Sequence, residues 1–155
     1  METESAGVRL FAQPLAVWER EGLAAALSKA KLPSDDVKAE GPSFWRFTTE
    51  DDFPVGFGGL EMHGRDALLR SVVILPPVRR RGVGRTLVGL LETEATMRGA
   101  DAVWLLTTET AAYFEQLGYA ACDRAQAPQA IRATAEFACL ALTSASMMRK
   151  SLQQL

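Results

Sequence analysis

Histidine and cysteine are scarce in this 155-residue chain, which has one histidine, His63, and two cysteines, Cys122 and Cys139. A zinc site built from His and Cys would use nearly all of them, at no recognisable spacing, so no metal site is expected. Any triad with a histidine base would have to use His63. Two cysteines so far apart make no disulfide scaffold, and both read as small apolar core residues of a cytoplasmic protein. Long apolar runs are also missing. SVVIL and VWLL fall far short of the roughly 20 residues of a membrane span, and the start, METESAGVRL, lacks the apolar stretch of a secretion signal. Charge of one sign is missing too: 17 Lys+Arg stand against 19 Asp+Glu, a net −2, which argues against a nucleic-acid binder. There is no internal repeat and no low-complexity linker. What remains, 48% hydrophobic and 23% charged residues, is the composition of an ordinary folded chain of one domain, residues 1–155.

Hydrophobic spacing predicts the elements. Val8 to Phe11 reads as a short strand. Leu15, Trp18, Leu23, Ala26 and Leu27 recur at helical spacing over Leu15–Ala30, with Gly22 as a break or bend. Pro33-Ser34-Asp35-Asp36 ends that unit, and Ser34 can cap one more short turn. SFWRFT (Ser43–Thr48) is aromatic-rich and suits a strand. VGFGGLEM (Val55–Met62) reads as the next, its three glycines marking a bulge or a close backbone approach. His63-Gly64-Arg65-Asp66 reads as a hairpin turn with His63 in solvent, leading into ALLRSVVIL (Ala67–Leu75), stopped by Pro76-Pro77. Gly82–Arg98 is an amphipathic helix closed by Gly99. AVWLL (Ala102–Leu106) reads as a strand buried on both faces, which makes a right-handed strand–helix–strand crossover. A short helix over Thr110–Leu117, a brief strand Tyr119–Cys122 and helical turns over Pro128–Thr134 follow. EFACLAL (Glu136–Leu142) is expected to be the last strand, with Thr143 capping a terminal helix Ser144–Leu152. The fold class is α+β: a mostly antiparallel sheet with one parallel pair and flanking helices.

The segment Arg79-Arg80-Arg81-Gly82-Val83-Gly84-Arg85-Thr86 lies between the strongest strand and the strongest helix. The first N–H groups of a helix have no internal partner, and its dipole places about half a positive charge there. Glycines at 82 and 84 let a bulky anion approach the main chain, and the arginines add charge. The implied ligand is a phosphate or pyrophosphate; the alternative is a solvated basic turn. A Walker A loop fails for lack of its lysine, and a dinucleotide fingerprint fails at Leu87, where its third glycine belongs.

These residues resemble a known superfamily. Arg79-x-x-Gly82-x-Gly84, after a strand ending in Ile74-Leu75-Pro76, resembles the acetyl-CoA loop of the GNAT N-acetyltransferases. YFEQLGY, Tyr113 to Tyr119, resembles the family's F-Y-x-x-L-G-F. Residues 43 to 122 carry the likeness. GLEMHGRDALLRSVVILPPVRRRGVGRTLV, LLTTETAAYFEQLGY and APQAIRATAEF together resemble the small GNAT proteins named for arsenic-resistance operons, AIRATAEF being the most distinctive part.

The resemblance implies an acetyl-CoA-dependent N-acetyltransferase fold in which acetyl-CoA lies between two diverging parallel strands. It implies pyrophosphate on the main chain of Arg81, Gly82, Val83, Gly84, Arg85 and Thr86, with Arg79 in the loop and the Thr86 hydroxyl as an extra donor. It also implies the pantetheine arm along Val72, Val73 and Ile74, with a backbone N–H near Val73 or Ile74 polarising the thioester carbonyl. Thr107 and Thr108 would line the other side. The acceptor would be the amine of a small molecule, attacking the thioester directly. A protein or peptide acceptor, or a noncatalytic acyl-CoA sensor, is the alternative. One departure stands out: the family's general acid is a tyrosine where this chain has Phe114. The nearest tyrosine, Tyr113, is one residue and about 100° of helix rotation away, and is either the acid or a packing residue. Glu61 is the candidate base, its alternative a solvated strand residue. Arg70 and Ser71 are candidate substrate-binding residues. Arg70 would suit an anionic, amino-acid-like acceptor, its alternative a surface salt bridge with Glu61 or Asp66. A homodimer is common in the family.

Overall fold

The computed structural model describes residues 9–30, 41–75, 82–140 and 144–152. Val8, the Pro33–Asp36 unit with Ser34, Pro76-Pro77, Arg79 to Arg81, Thr143 and the Cys139 side chain lie outside them. In chain order the elements are β1 (Phe11–Pro14), a 3-10 turn (Val17–Glu19), α1 (Arg20–Lys29), β2 (Ser43–Thr48), β3 (Pro54–His63), β4 (Asp66–Ile74), α2 (Val83–Met97), β5 (Ala102–Thr107), α3 (Ala111–Gln116), β6 (Ala120–Cys122), a 3-10 turn (Arg124–Gln126), α4 (Gln129–Arg132), α5 (Ala135–Leu140) and β7 (Ser146–Ser151). The strands form one seven-stranded sheet in the order β1-β2-β3-β4-β5-β7-β6. Every neighbouring pair is antiparallel except β4 and β5.

Side-chain alternation sorts the sheet's two faces. Trp45, Phe47, Leu60, Ala67, Leu69, Val103 and Leu105 pack with Leu87, Val88 and Leu91 of α2 and Phe114 of α3. On the other face Phe44 and Val73 meet Leu23 and Leu27 of α1, while Leu68, Trp104 and Leu106 meet Ile131 of α4 and Leu140 of α5. The α2 side chains are at most 1% exposed at Leu87, Val88 and Leu91, each contributing roughly 1.5–3 kcal/mol. The glycines of β3 admit that helix: a Cβ on Gly58 would stand 2.5 Å from a Leu91 methyl.

The structure moves several expected boundaries. The first strand is Phe11–Pro14, not Val8–Phe11, and ends on a proline that an edge strand tolerates. Gly22 does not break α1, which runs through it; a 3-10 turn precedes the helix. The C-terminal assignment is reversed. Residues 135–140 are helix, because Thr134 accepts the Phe137 N–H at 3.1 Å and caps it. Ser146–Ser151 is a strand between β5 and β6. Its two consecutive methionines, Met147 and Met148, enter opposite cores, a pattern that period-two patterning with one solvated face does not anticipate.

Candidate active site

The parallel pair builds the site. Its register holds for three positions, Asp66↔Ala102, Ala67↔Val103 and Leu68↔Trp104, and then stops. β4 runs on to Ile74 and β5 to Thr107 without pairing with each other. Among the described residues, β4 from Leu69 to Val73 has no partner strand on its β5 side, so an extended ligand can pair there as a strand would. The opening holds a cleft of about 530 Å³. Leu69 to Ile74 form one wall, Leu105 to Thr110 the other, and Ala30, Gly84, Tyr113, Phe114, Glu136 and Leu140 complete it.

A bulge shapes the β4 wall. Phe57 pairs with Val73 but Gly59 pairs with Arg70, so Ser71 and Val72 together oppose Gly58. Ser71 takes up the extra residue at φ 59, a left-handed conformation rare outside glycine. Strain of this kind is held at functional sites by the structure around it.

At one end of the cleft stands the start of α2. Gly82 is its N-cap at φ 73, which only glycine adopts without penalty. Among the described residues, no side-chain hydrogen bond caps the helix at Gly82. Among the described residues the first ladder bond is Thr86 N–H to Gly82 C=O, 3.3 Å; the N–H groups of Val83, Gly84 and Arg85 precede it, where a helix start suits an anion. Arg85 is exposed beside them, while the Val83 side chain is buried in the core, leaving only its main chain to a ligand. The Thr86 hydroxyl is turned back to the Gly82 carbonyl at 3.4 Å. Gly84 has a second role that sequence reading missed: a Cβ there would stand 2.0 Å from the Tyr113 hydroxyl. The phenol therefore rests on the main chain at the head of α2, 39% exposed. Burial raises its pKa, against the lowering effect of Arg85, so it is protonated at neutral pH. Phe114, one position on, is buried in the α2-side core and packs edge-on against Tyr119.

At the bulge end the chemistry is carried by side chains. The Arg70 side chain is fully buried; its guanidinium lies 3.3 Å from Glu61 and 3.6 Å from Glu136, 5.5 Å from the Phe44 ring centre. Arg70 does pair with Glu61, as its alternative reading had it, but the pair is buried and not at the surface; Arg70 also lines the cleft, with its charge facing Glu136 as well. Glu61 is not a solvated residue, and it is not part of the cleft lining. It is largely buried between Arg70 and His63, whose Nε2 is 3.1 Å away. His63 is thereby half-buried and paired, not free in solvent. Glu136, from α5, does line the cleft. Sequence reading gave it no role; the available signal was a carboxylate in the first turn of a helix capped by Thr134. Thr107 and Thr108 lie on the β5 wall, but the Thr107 hydroxyl is occupied by Thr110, accepting its N–H at 3.1 Å and meeting its hydroxyl at 2.5 Å. Cys122 is half-buried, away from the cleft, with its thiol pKa raised by burial.

This layout, a parallel pair that parts beside an uncapped helix start, agrees with the sequence. The model of the acetyltransferase (GNAT) family matches residues 10–119. The chain belongs to the GNAT family. None of the curated proteins matches it. Solved structures share the GNAT fold at low identity. N-acetylglutamate synthase from Neisseria gonorrhoeae, complexed with coenzyme A and N-acetyl-glutamate, superposes at a TM-score of 0.77 over 94% of this chain with 14% identity, and the match spans 36% of that chain. This GNAT chain thus covers about a third of that synthase. A GNAT acetyltransferase from Staphylococcus aureus Mu50 gives 0.71, 16% identity, 94% of this chain and 100% of that one. The ribosomal-protein-S18-alanine N-acetyltransferase of Escherichia coli gives 0.68, 18% identity, 95% and 96%. Among the described residues, no helix of this GNAT protein is long and apolar enough to cross a membrane.

Proposed function

We propose that this GNAT enzyme takes acetyl-CoA as its acyl donor and transfers the acetyl group directly to the primary amine of a small molecule. The observation that carries the reading is the three-position register of β4 and β5, which opens a cleft running from the α2 amides to the Ser71 bulge. The residues fit the donor. Gly82, Val83, Gly84 and Arg85 would hold its diphosphate through the main chain, and Val72 to Ile74 would align its pantetheine arm. Bound acetyl-CoA supplies an activated acetyl thioester. The protein then has to hold an amine against it, exclude water and supply an N–H toward the carbonyl oxygen. Tyr113 is the only phenol of the cleft lining and remains a candidate acid, though its hydroxyl rests at the α2 end. A thiolate is a good leaving group and needs little protonation.

The finer reading takes the protein as cytoplasmic, working on a soluble amine rather than on nucleic acid or membrane, as a monomer or homodimer. The likeness to proteins of arsenic-resistance operons adds toxic amines to the acceptors to be screened. The anionic acceptor loses its support, since Arg70 already faces Glu61 and Glu136. Phe114 at the usual tyrosine position favours one rival, a noncatalytic acyl-CoA sensor. Calorimetric titration decides first: acetyl-CoA should bind in the micromolar range, and Gly82→Glu should weaken it strongly. Thiol release on free-amine and peptide panels then separates small-molecule from protein acceptors, and tight binding with no turnover on either supports the sensor.

A further inference from the structure

We infer that the Ser71 hydroxyl is a catalytic hydrogen-bond donor, set by Arg70 toward the thioester oxygen of the acyl donor. The inference rests on the proposed acetyl transfer and adds a residue to the machinery of the same cleft. Three observations carry it. Ser71 lines the cleft although it is only 9% exposed. Its Oγ lies 3.3 Å from Nε of Arg70. An arginine N–H can only donate, so the serine oxygen accepts there and its own proton needs another acceptor. Among the described residues the Ser71 hydroxyl donates to none. Lastly, Ser71 holds φ 59 at the bulge, a conformation that glycine takes at lower cost. A hydroxyl thus stands where the backbone alone would favour glycine.

A buried hydroxyl without an acceptor is costly, and a ligand atom can remove that cost. The position fits a thioester oxygen. The last parallel pair is Leu68↔Trp104, and Ser71 lies beyond it, where the strands part. A pantetheine arm laid from the α2 end along Ile74, Val73 and Val72 meets Ser71 next. Glu61 at 3.3 Å and Glu136 at 3.6 Å anchor the other nitrogens of Arg70, which fixes the Nε–H on the serine. A hydrogen bond from a charged donor polarises the O–H and strengthens it as a donor in turn. In the transfer, the amine nitrogen bonds to the carbonyl carbon while the C=O π pair moves onto oxygen. Ser71 O–H and a β4 main-chain N–H stabilise the charge that develops there. The C=O then re-forms, the C–S bond breaks with its electron pair on sulfur, and the proton shed by nitrogen reaches the thiolate through solvent. Ser71 keeps its own proton throughout. Phe114, at the family's acid position, can donate nothing to sulfur, so stabilisation at the oxygen suits this chain.

Two variants test it. Ser71→Ala removes the hydroxyl and keeps a side chain. Ser71→Gly removes the hydroxyl and also relieves the backbone, so it should fold at least as stably as wild type. Both should bind acetyl-CoA with the wild-type Kd by calorimetry. Infrared difference spectra of bound acetyl-CoA, isotope-labelled at the acetyl carbonyl, should place the carbonyl band at lower wavenumber in wild type than in either variant. That reading needs no acceptor. With whichever amine gives the fastest thiol release, kcat should fall roughly 100-fold in both variants, while KM for acetyl-CoA stays unchanged. A Ser71→Gly protein with the wild-type band and kcat would make the role of Ser71 conformational and overturn the inference. The same band in all three proteins, or a loss confined to Kd or KM, overturns it too. If no amine is turned over, the carbonyl band decides alone. Failure of wild-type protein to bind acetyl-CoA would instead remove the parent reading, and this one with it.

Discussion

The two ends of the cleft are built by opposite means. At the α2 end the working groups are main-chain amides, set by one left-handed glycine and one glycine without room for a Cβ. At the bulge end they are side chains buried almost completely and drawn from three separate elements, β3, β4 and α5. A main-chain site depends on local conformation, so most substitutions around it are tolerated and a few are fatal to binding. A buried side-chain site depends on mutual compensation, so removal of one member harms the fold itself.

Arg70→Ala breaks the bulge end and should have the largest effect. It leaves Glu61 and Glu136 buried without their shared cation, a loss of roughly 3–5 kcal/mol, on the order of 10 °C in Tm for a chain of this size. Thermal melts followed by circular dichroism measure it. Arg70→Met combined with Glu61→Gln and Glu136→Gln removes the charges together and should recover most of the loss. A triple variant no more stable than Arg70→Ala would mean that the cluster matters for its packing and not for its charges.

The α2 end should break in binding before it breaks in stability. Gly84→Glu sets a side chain and a negative charge against the open amides, and acetyl-CoA affinity should fall about 100-fold, or roughly 2.7 kcal/mol. Gly84→Ala is the finer probe, because its methyl meets the Tyr113 hydroxyl. If displacement of the phenol is the cause of lost affinity, Tyr113→Ala in the same chain restores it. If the double variant binds as weakly as Gly84→Ala, glycine is required there by the anion and not by the tyrosine. Calorimetric titration reads both.

This difference also explains what could be read from the sequence. Gly82, Gly84, the strand before them and YFEQLGY are contiguous and conformationally demanding, so the fold, the parallel pair and the α2 end were legible. Glu61 and Arg70 were singled out individually, but whether they were solvated, paired or free depended on β3–β4 register and on Glu136, which is 66 residues beyond Arg70. No local pattern links such positions. Tyr113 was questioned on rotation alone, while its contact with Gly84 joins the start of one helix to another. The C-terminal reversal has a local cause. EFACLAL is an apolar run that suits strand or helix, and the Thr134 cap, which decides between them, was read as the end of the preceding turn.

A third polar cluster gives the control for this comparison. On the far part of α2, Glu92 accepts the Tyr119 hydroxyl at 2.8 Å and meets Lys150 at 3.0 Å, while Lys150 also donates to the Leu117 carbonyl at 2.8 Å. It has a carboxylate, a cation and a donor like the bulge end, but none of its members lines the cleft. Burial, then the charge of Glu92, raises the Tyr119 pKa far above the ordinary tyrosine value of 10.0. The neutral phenol is therefore favoured in the folded state, whereas the unfolded chain ionises near 10. Stability from this group is complete below pH 10 and declines as pH rises above it, because only the unfolded state then gains by losing the proton. Urea midpoints of wild-type protein should fall between pH 9.5 and 11 by more than those of Tyr119→Phe. At pH 7 the variant should lose only about 1–2 kcal/mol. A midpoint difference that stays the same across that pH range would mean that the phenol contributes by packing and not through its proton.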